Sequence, residues 1–276
     1  MKVSSSTIRT YGATERLFLE WCRSTCRLPF PASEETACAF IDSLSSRGRR
    51  MSTITRHMSA IAWLHRRDGH PCPTESKVVL AKLAAARLLE DRPVVRKAPL
   101  SANSIAEILR VMGTRTLAAK RDSAIILLAF SKAMKRSSVS SIQCQDISID
   151  GDKVFLLGEQ IPNGAHLKPA DKLREWVSAA GLTSGPVFRR ITRGDHLSDQ
   201  PISDQAVSLI VKRRAKEAGF DISEISSSSL RAGRIKSALA SGASAKRIIT
   251  LAGLSNRSIV GLGSYARRAA LERSEG

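Results

Sequence analysis

Acidic residues are in short supply in this sequence. Its 276 residues include 25 Asp and Glu against 44 Lys and Arg, a formal net charge of +19. Such an imbalance costs free energy through self-repulsion unless a polyanion neutralises it, which points to nucleic acid as the partner. The alternative is a generally basic, well-solvated surface. Aromatic residues are also scarce, at 4%. The core must therefore be built from Leu, Ile, Val and Ala, and the abundance of Ala, Leu, Arg and Lys favours helices. No apolar run approaches the roughly 18 residues of a membrane span, so no membrane partner is expected. The opening Met-Lys-Val-Ser-Ser-Ser has no apolar core, which argues against a signal peptide. The five cysteines lack metal-ligand spacing: Cys22 and Cys26 lie one helical turn apart with no second pair to complete a zinc site. Reduced thiols in a cytoplasmic protein are expected. Neither a cofactor, a metal nor a small-molecule substrate is indicated.

What is present reads as helices separated by breakers. Apolar residues Tyr11, Leu17, Phe18, Trp21 and Cys22 recur at helical spacing from Thr7 to about Cys26, ahead of Pro29 and Pro31. Ser33 caps a second helix, Ser52 a third with Ile54, Met58, Ile61, Ala62 and His65 on its apolar face, and a fourth spans about 75–89. Residues 91–100, charged and with two prolines, read as a linker between a helical domain at 1–90 and a second domain at 101–276. In the second, Ser101 caps a helix to Met112, and a strongly apolar helix runs from Leu117 to Met134. A short helix follows near 137–142. Residues 146–150 and 153–157 around Gly151-Asp152 read as a β-hairpin. Helices resume at about 169–180, 202–218, 229–241, 244–252 and 256–266. The fold class expected is mainly α with a small β-sheet.

Two stretches carry a resemblance. Ser52-Thr-Ile-Thr-Arg-His-Met-Ser-Ala-Ile-Ala-Trp-Leu-His65, with Gly69 and Pro73-Thr74, is similar to the third helix of the core-binding domain of Cre-like tyrosine recombinases, the phage-integrase family. Arg121-Asp122 through Lys135-Arg136 and on to Asp146-Ile147 is similar to that family's first arginine motif, and Ser228-Ser229-Leu230-Arg231 with Leu251-Ala252-Gly253-Leu254 and Tyr265 resembles its C-terminal half. The resemblance covers nearly the whole chain. It implies a helical core-binding domain followed by a mixed α/β catalytic-type domain, the two closing as a clamp around double-stranded DNA. It also implies assembly on paired DNA half-sites.

The family pattern places its first catalytic arginine at position 135, where this chain has Lys135. Its second arginine matches Arg231. The histidine expected three residues before that arginine is Ser228. The His or Trp expected 23 residues after it is Leu254. The nucleophilic tyrosine matches Tyr265, which lies eleven rather than nine positions beyond Leu254 and is one of only two tyrosines. A lysine expected after the second strand has no counterpart in 158–164; Lys153 and Lys168 flank that segment. Strand cleavage builds negative charge on a five-coordinate phosphorus, which two planar guanidiniums can each grip through two oxygens. A lysine at 135 keeps the charge and loses the fork. Ser228 cannot shuttle protons near neutral pH, and Leu254 cannot donate to phosphate. Losing one such donor typically costs on the order of 10²–10³ in rate.

The basic residues expected on the DNA are Arg56, His57, Arg66 and Arg67 in the first domain, with Lys132, Arg136, Lys212, Arg213, Arg234, Lys246 and Arg247 in the second. Each also has a bland reading as a solvated helix face, and Tyr265 one as a packing residue. Three functions stay open. The first is a DNA-binding member of the family with impaired or lost cleavage and a regulatory or accessory role on a mobile element, in the cytoplasm at the nucleoid. The second is an active site-specific recombinase using Tyr265. The third is an unrelated basic helical DNA-binding regulator.

Overall fold

The computed structural model describes residues 5–90 and 97–252. The chain divides into two compact units, Met1–Val94 and Val95–Gly276. Leu254, Tyr265 and the helix expected over 256–266 lie outside the described residues.

The described residues of unit 1 form the α-helices α1 (Ser5–Ser24), α2 (Glu34–Ser46), α3 (Met51–Arg67) and α4 (Lys77–Leu88). Ser33 caps α2 by accepting the Thr36 N–H, and Glu34 and Glu35 complement the helix dipole in its first turn. Phe18, Trp21 and Phe40 form the centre of the core, with Phe18 and Trp21 each 5.0 Å from the Phe40 ring centroid. Ile41, Leu44, Ile54, Met58 and Ile61 close around them. His65 is fully buried. Its Nε2 accepts the Ala32 N–H at 3.0 Å, which leaves the proton on Nδ1, 2.8 Å from the Ile61 carbonyl. Burial holds this imidazole below its ordinary pKa.

Unit 2 begins with α5 (Ala102–Met112), α6 (Leu117–Ser131) and α7 (Arg136–Ser140). The antiparallel strands β1 (Ile147–Asp150), β2 (Lys153–Leu156) and β3 (Glu159–Gln160) follow, then α8 (Pro169–Ala179). The hairpin β4 (Arg189–Ile191) and β5 (Leu197–Pro201) precedes α9 (Asp204–Glu217), α10 (Ser227–Ala240) and α11 (Ala245–Ala252). Every residue from Arg121 to Phe130 is buried, so α6 is the central helix. Against it packs α8, whose buried Trp176 donates its indole N–H to the Val187 carbonyl at 3.0 Å. Asp195, in the turn between β4 and β5, reaches the start of α6 and accepts the N–H groups of Leu117 and Ala118 at 2.6 and 2.9 Å. Gly233 on α10 lies so close to Leu100 that an added Cβ would stand 1.8 Å from the Leu100 carbonyl oxygen.

Several boundaries differ from the sequence expectation. The third helix begins at Met51, not after Ser52: Met51 is buried and its N–H is taken by the Glu90 carboxylate at 2.9 Å, while Ser52 is exposed inside the helix. The fourth opens with a separate 3₁₀ turn at Pro73–Glu75 before Ser76 caps α4. The long apolar helix stops at Ser131 rather than Met134. Ala133 adopts φ +47° and the Met134 N–H returns to the Ala129 carbonyl, a Schellman closure without glycine. Segment 158–164 is not one loop, because Glu159 and Gln160 pair with β2 as a third strand. The β4–β5 hairpin was not foreseen. Its residues are largely polar and exposed, so no alternation marks it.

Candidate nucleic-acid interface

The end of α6 gathers the basic residues of unit 2. Its last carbonyls have no partner within the helix. Arg231 and Arg234, one turn apart on α10, reach this end: Arg234 Nε donates to the Ser131 carbonyl at 3.3 Å and Arg231 Nη1 to the Ala133 carbonyl just beyond the helix at 3.2 Å. Both guanidiniums are thereby held against one turn of backbone. Between Ser131 and Ala133 in sequence, Lys132 is mostly covered and its ammonium lies 2.8 Å from the Glu159 carboxylate. That ammonium holds the carboxyl of Glu159 below its usual range.

Lys135 follows two residues after the carbonyl that Arg231 grips. Its backbone is extended, with φ −76° and ψ 148°, at the N-cap of α7, and its side chain is exposed. The segment is therefore not helical at 135. Arg136 instead pairs with Asp204 at 3.2 Å. Ser228 is exposed in the first turn of α10, with its hydroxyl 2.7 Å from that of Ser226. The β2–β3 turn is Leu157-Gly158, both at positive φ, and holds no lysine. Lys153 is exposed opposite Asp150, and Lys168 is exposed just before α8.

A cleft of about 890 Å³ adjoins this cluster. Lys132, Arg234, Ser244 and Arg247 contribute to its polar lining, with Met134 and Ile248 among its apolar residues. Lys246 is exposed on α11. The arrangement can hold an anion: positive side chains converge from three elements and two of them are fixed by main-chain contacts. Lys212 and Arg213 belong elsewhere, near the other end of α6. There Arg213, Arg214 and Arg121 converge on the fully buried Asp122.

In unit 1, Arg56 is exposed on an open groove with Thr7, Tyr11, Ser52, Thr55 and Ser59. His57 turns inward. Its Nδ1 is 2.9 Å from the Thr14 hydroxyl and its ring meets Phe40 edge-on. Burial, then Arg56 and Arg49, lower its pKa. Arg66 pairs with Glu75, and Arg67 pairs with Asp68 at 2.7 Å and lies over Trp63.

Sequence reasoning missed three carboxylates: Glu159 and Asp122, which pair with these cations, and Asp195, which takes the first N–H groups of α6. An aspartate inside the apolar run 121–130 was a visible signal for a buried, paired charge. Glu159 and Asp195 left no local signal, because their partners lie 27 and 78 residues away. Among the described residues no helix is long and apolar enough to cross a membrane.

No family model matches the chain. Curated relatives do. The chain is 28% identical over 253 residues to the integrase/recombinase xerD homolog of Selenomonas ruminantium, covering 85% of this chain and 74% of that protein. It is 23% identical over 197 residues to the recombinase cre of Escherichia phage P1, covering 62% and 54%. Among solved structures, the Tn1549 transposon integrase in complex with transposon right end DNA matches with TM-score 0.65 and 12% identity, covering 100% of this chain and 95% of that one. A lambda integrase dimer bound to a COC' core site matches with TM-score 0.63 and 15% identity, covering 96% and 89%. The fold is thus that of the integrase-type recombinases. The chain is similar in sequence to proteins named as tyrosine recombinases.

Proposed function

We propose that this chain is a double-stranded-DNA-binding tyrosine recombinase homologue that retains the family's grip on a backbone phosphate and has impaired or lost strand cleavage. The observation that carries the reading is the α6–α10 junction. Arg231 is tied to Ala133, two residues from Lys135, so the two family arginine positions meet at one turn of chain, while one of them holds a lysine. Ser228, one turn before Arg231, is a hydroxyl that cannot act as a base near neutral pH. Unit 1 serves as the core-binding domain and unit 2 as the catalytic-type domain, each contacting the duplex. Arg56, Arg66 and Arg67 contribute from unit 1, and Lys132, Arg234, Lys246 and Arg247 from unit 2. The net charge of +19 supports a polyanion partner. The DNA complexes of the similar integrases, one of them a lambda integrase tetramer on a Holliday junction, support self-association on paired sites. The role that follows is regulatory or accessory.

A nicked suicide duplex tests the reading. No covalent protein–DNA adduct is expected. An adduct that forms with the wild-type chain and disappears in Tyr265→Phe overturns it. That outcome supports the second reading, an active recombinase with a non-standard site, which the relatives named as recombinases favour. Binding itself is expected to weaken steeply between about 50 and 200 mM salt, because each phosphate contact releases counterions.

A further inference from the structure

Asp122 is fully buried and sits near the start of α6, about 14 Å along the helix from Ser131. It faces three guanidiniums. Arg121 Nε and Nη2 reach its Oδ1 at 3.0 and 2.7 Å, while Arg213 Nη2 and Arg214 Nε reach Oδ2 at 2.7 and 2.8 Å. A buried carboxylate needs compensation, and Arg121 alone, which also donates to the Arg189 carbonyl, provides both charge and two hydrogen bonds. The second and third arginines exceed that need. Glu217 pairs with Arg214 at 2.8 Å and lies 3.9 Å from Arg213 Nε. Three guanidiniums against two carboxylates leave one positive charge uncompensated.

Exposure locates that charge. The side chains of Arg121 and Arg214 are 8% and 12% exposed, and that of Arg213 is 52% exposed. Arg213 uses Nη2 on Asp122 and points Nε toward Glu217; its Nη1 makes no hydrogen bond among the described residues. A long, flexible side chain is thus fixed at its inner edge and open at its outer one. Holding an arginine this way lowers the entropic cost of an external contact. We propose that Asp122 is a positioning residue, and that the arginine it presents, Arg213, is a second contact to the phosphodiester backbone, separate from the Arg231 cluster. This rests on the DNA-binding reading and adds a residue, Asp122, that touches no DNA.

The test is the affinity of the full chain for a labelled duplex of about 30 base pairs, measured between about 50 and 200 mM salt. R213A is expected to lower affinity about five- to tenfold and to flatten the plot of log affinity against log salt by about 0.9, one phosphate's worth. D122N is expected to lower affinity by a similar factor and to blunt the further effect of R213A, so that the double variant is far from additive. R213K keeps the charge but lacks the fork that bridges Asp122 and an external anion, and is expected to lose most of what R213A loses. As a substitution of a half-exposed side chain, it also keeps the test decisive if D122N fails to fold, as judged by circular dichroism. Wild-type affinity and slope in R213A overturn the Arg213 contact. Full additivity in a folded D122N, or wild-type affinity in R213K, overturns the positioning role. A wild-type chain that binds no duplex fails the DNA-binding reading itself, a distinct result.

Discussion

The two units hold their cations in opposite ways. In unit 1, Arg56, Arg66 and Arg67 stand on the exposed side of α3, and the latter two have solvent-exposed carboxylate partners. In unit 2, Arg231 and Arg234 are half-buried and bonded to main-chain carbonyls, and Arg121 and Arg214 close on a carboxylate that water does not reach. Exposed pairs are screened by salt and contribute little, typically 0–1 kcal/mol. Cations fixed to buried groups become part of the fold. The same residue type therefore forms an adjustable surface in one unit and structural framework in the other.

The sharpest attempt to break this contrast is Asp122→Ala, which strands three arginines around an empty site. It is expected to destabilise the chain by about 3–5 kcal/mol in urea unfolding. A loss below about 1 kcal/mol would place these arginines with the exposed ones. Gly233→Ala comes next: its methyl group meets the Leu100 backbone, and overpacking of this kind costs about 1–3 kcal/mol, read as a lowered Tm. Arg231→Ala removes a hydrogen bond to the Ala133 carbonyl and is expected to cost about 1 kcal/mol. Arg66→Ala in unit 1 is expected to stay within about 0.5 kcal/mol. If the last two prove equal, the distinction between the units fails at these positions. Acidification is the mildest probe. His65 and His57 both have pKa values lowered by burial, so the unfolded chain binds more protons below about pH 6.5. Their stabilising contribution is complete above that pH and is lost as pH falls toward the folded-state values. Unfolding at pH 7.5 and 5.5 is expected to show lower stability at the acid end, with the difference reduced in His65→Gln.

The sequence revealed features whose causes are local. Ser33 and Ser101 cap their helices because a hydroxyl reaches an N–H three residues on. The β1–β2 hairpin followed from two short runs around Gly151. Of the two positions that the motif spacing singled out, Arg231 lies on α10 and bonds to the chain two residues before Lys135. Causes set by tertiary contacts were not readable. Met51 rather than Ser52 opens α3 because Glu90 takes its N–H. Strand β3 is two residues long and carries no pattern. The end of α6 rests on a non-glycine residue at positive φ, which composition disguises. His57 read as a basic surface residue, yet its ring faces Thr14 and Phe40.

The order in which the chain is synthesised gives α6 a further significance. Its first turn is bonded by Asp195, 78 residues later; at its other end Arg234 bonds the Ser131 carbonyl, 103 residues away, and Arg231 the Ala133 carbonyl just beyond, 98 residues away. A ribosome that has just released α6 therefore exposes a helix that has its local caps but lacks these distant contacts, with its strongly apolar middle uncovered. Unit 1, a compact unit by itself, can assemble at that stage. The central helix of unit 2 must wait for most of the remaining chain. This makes the interval between residues 131 and 231 the period when nascent chains are most exposed to aggregation, and where a chaperone would be needed most.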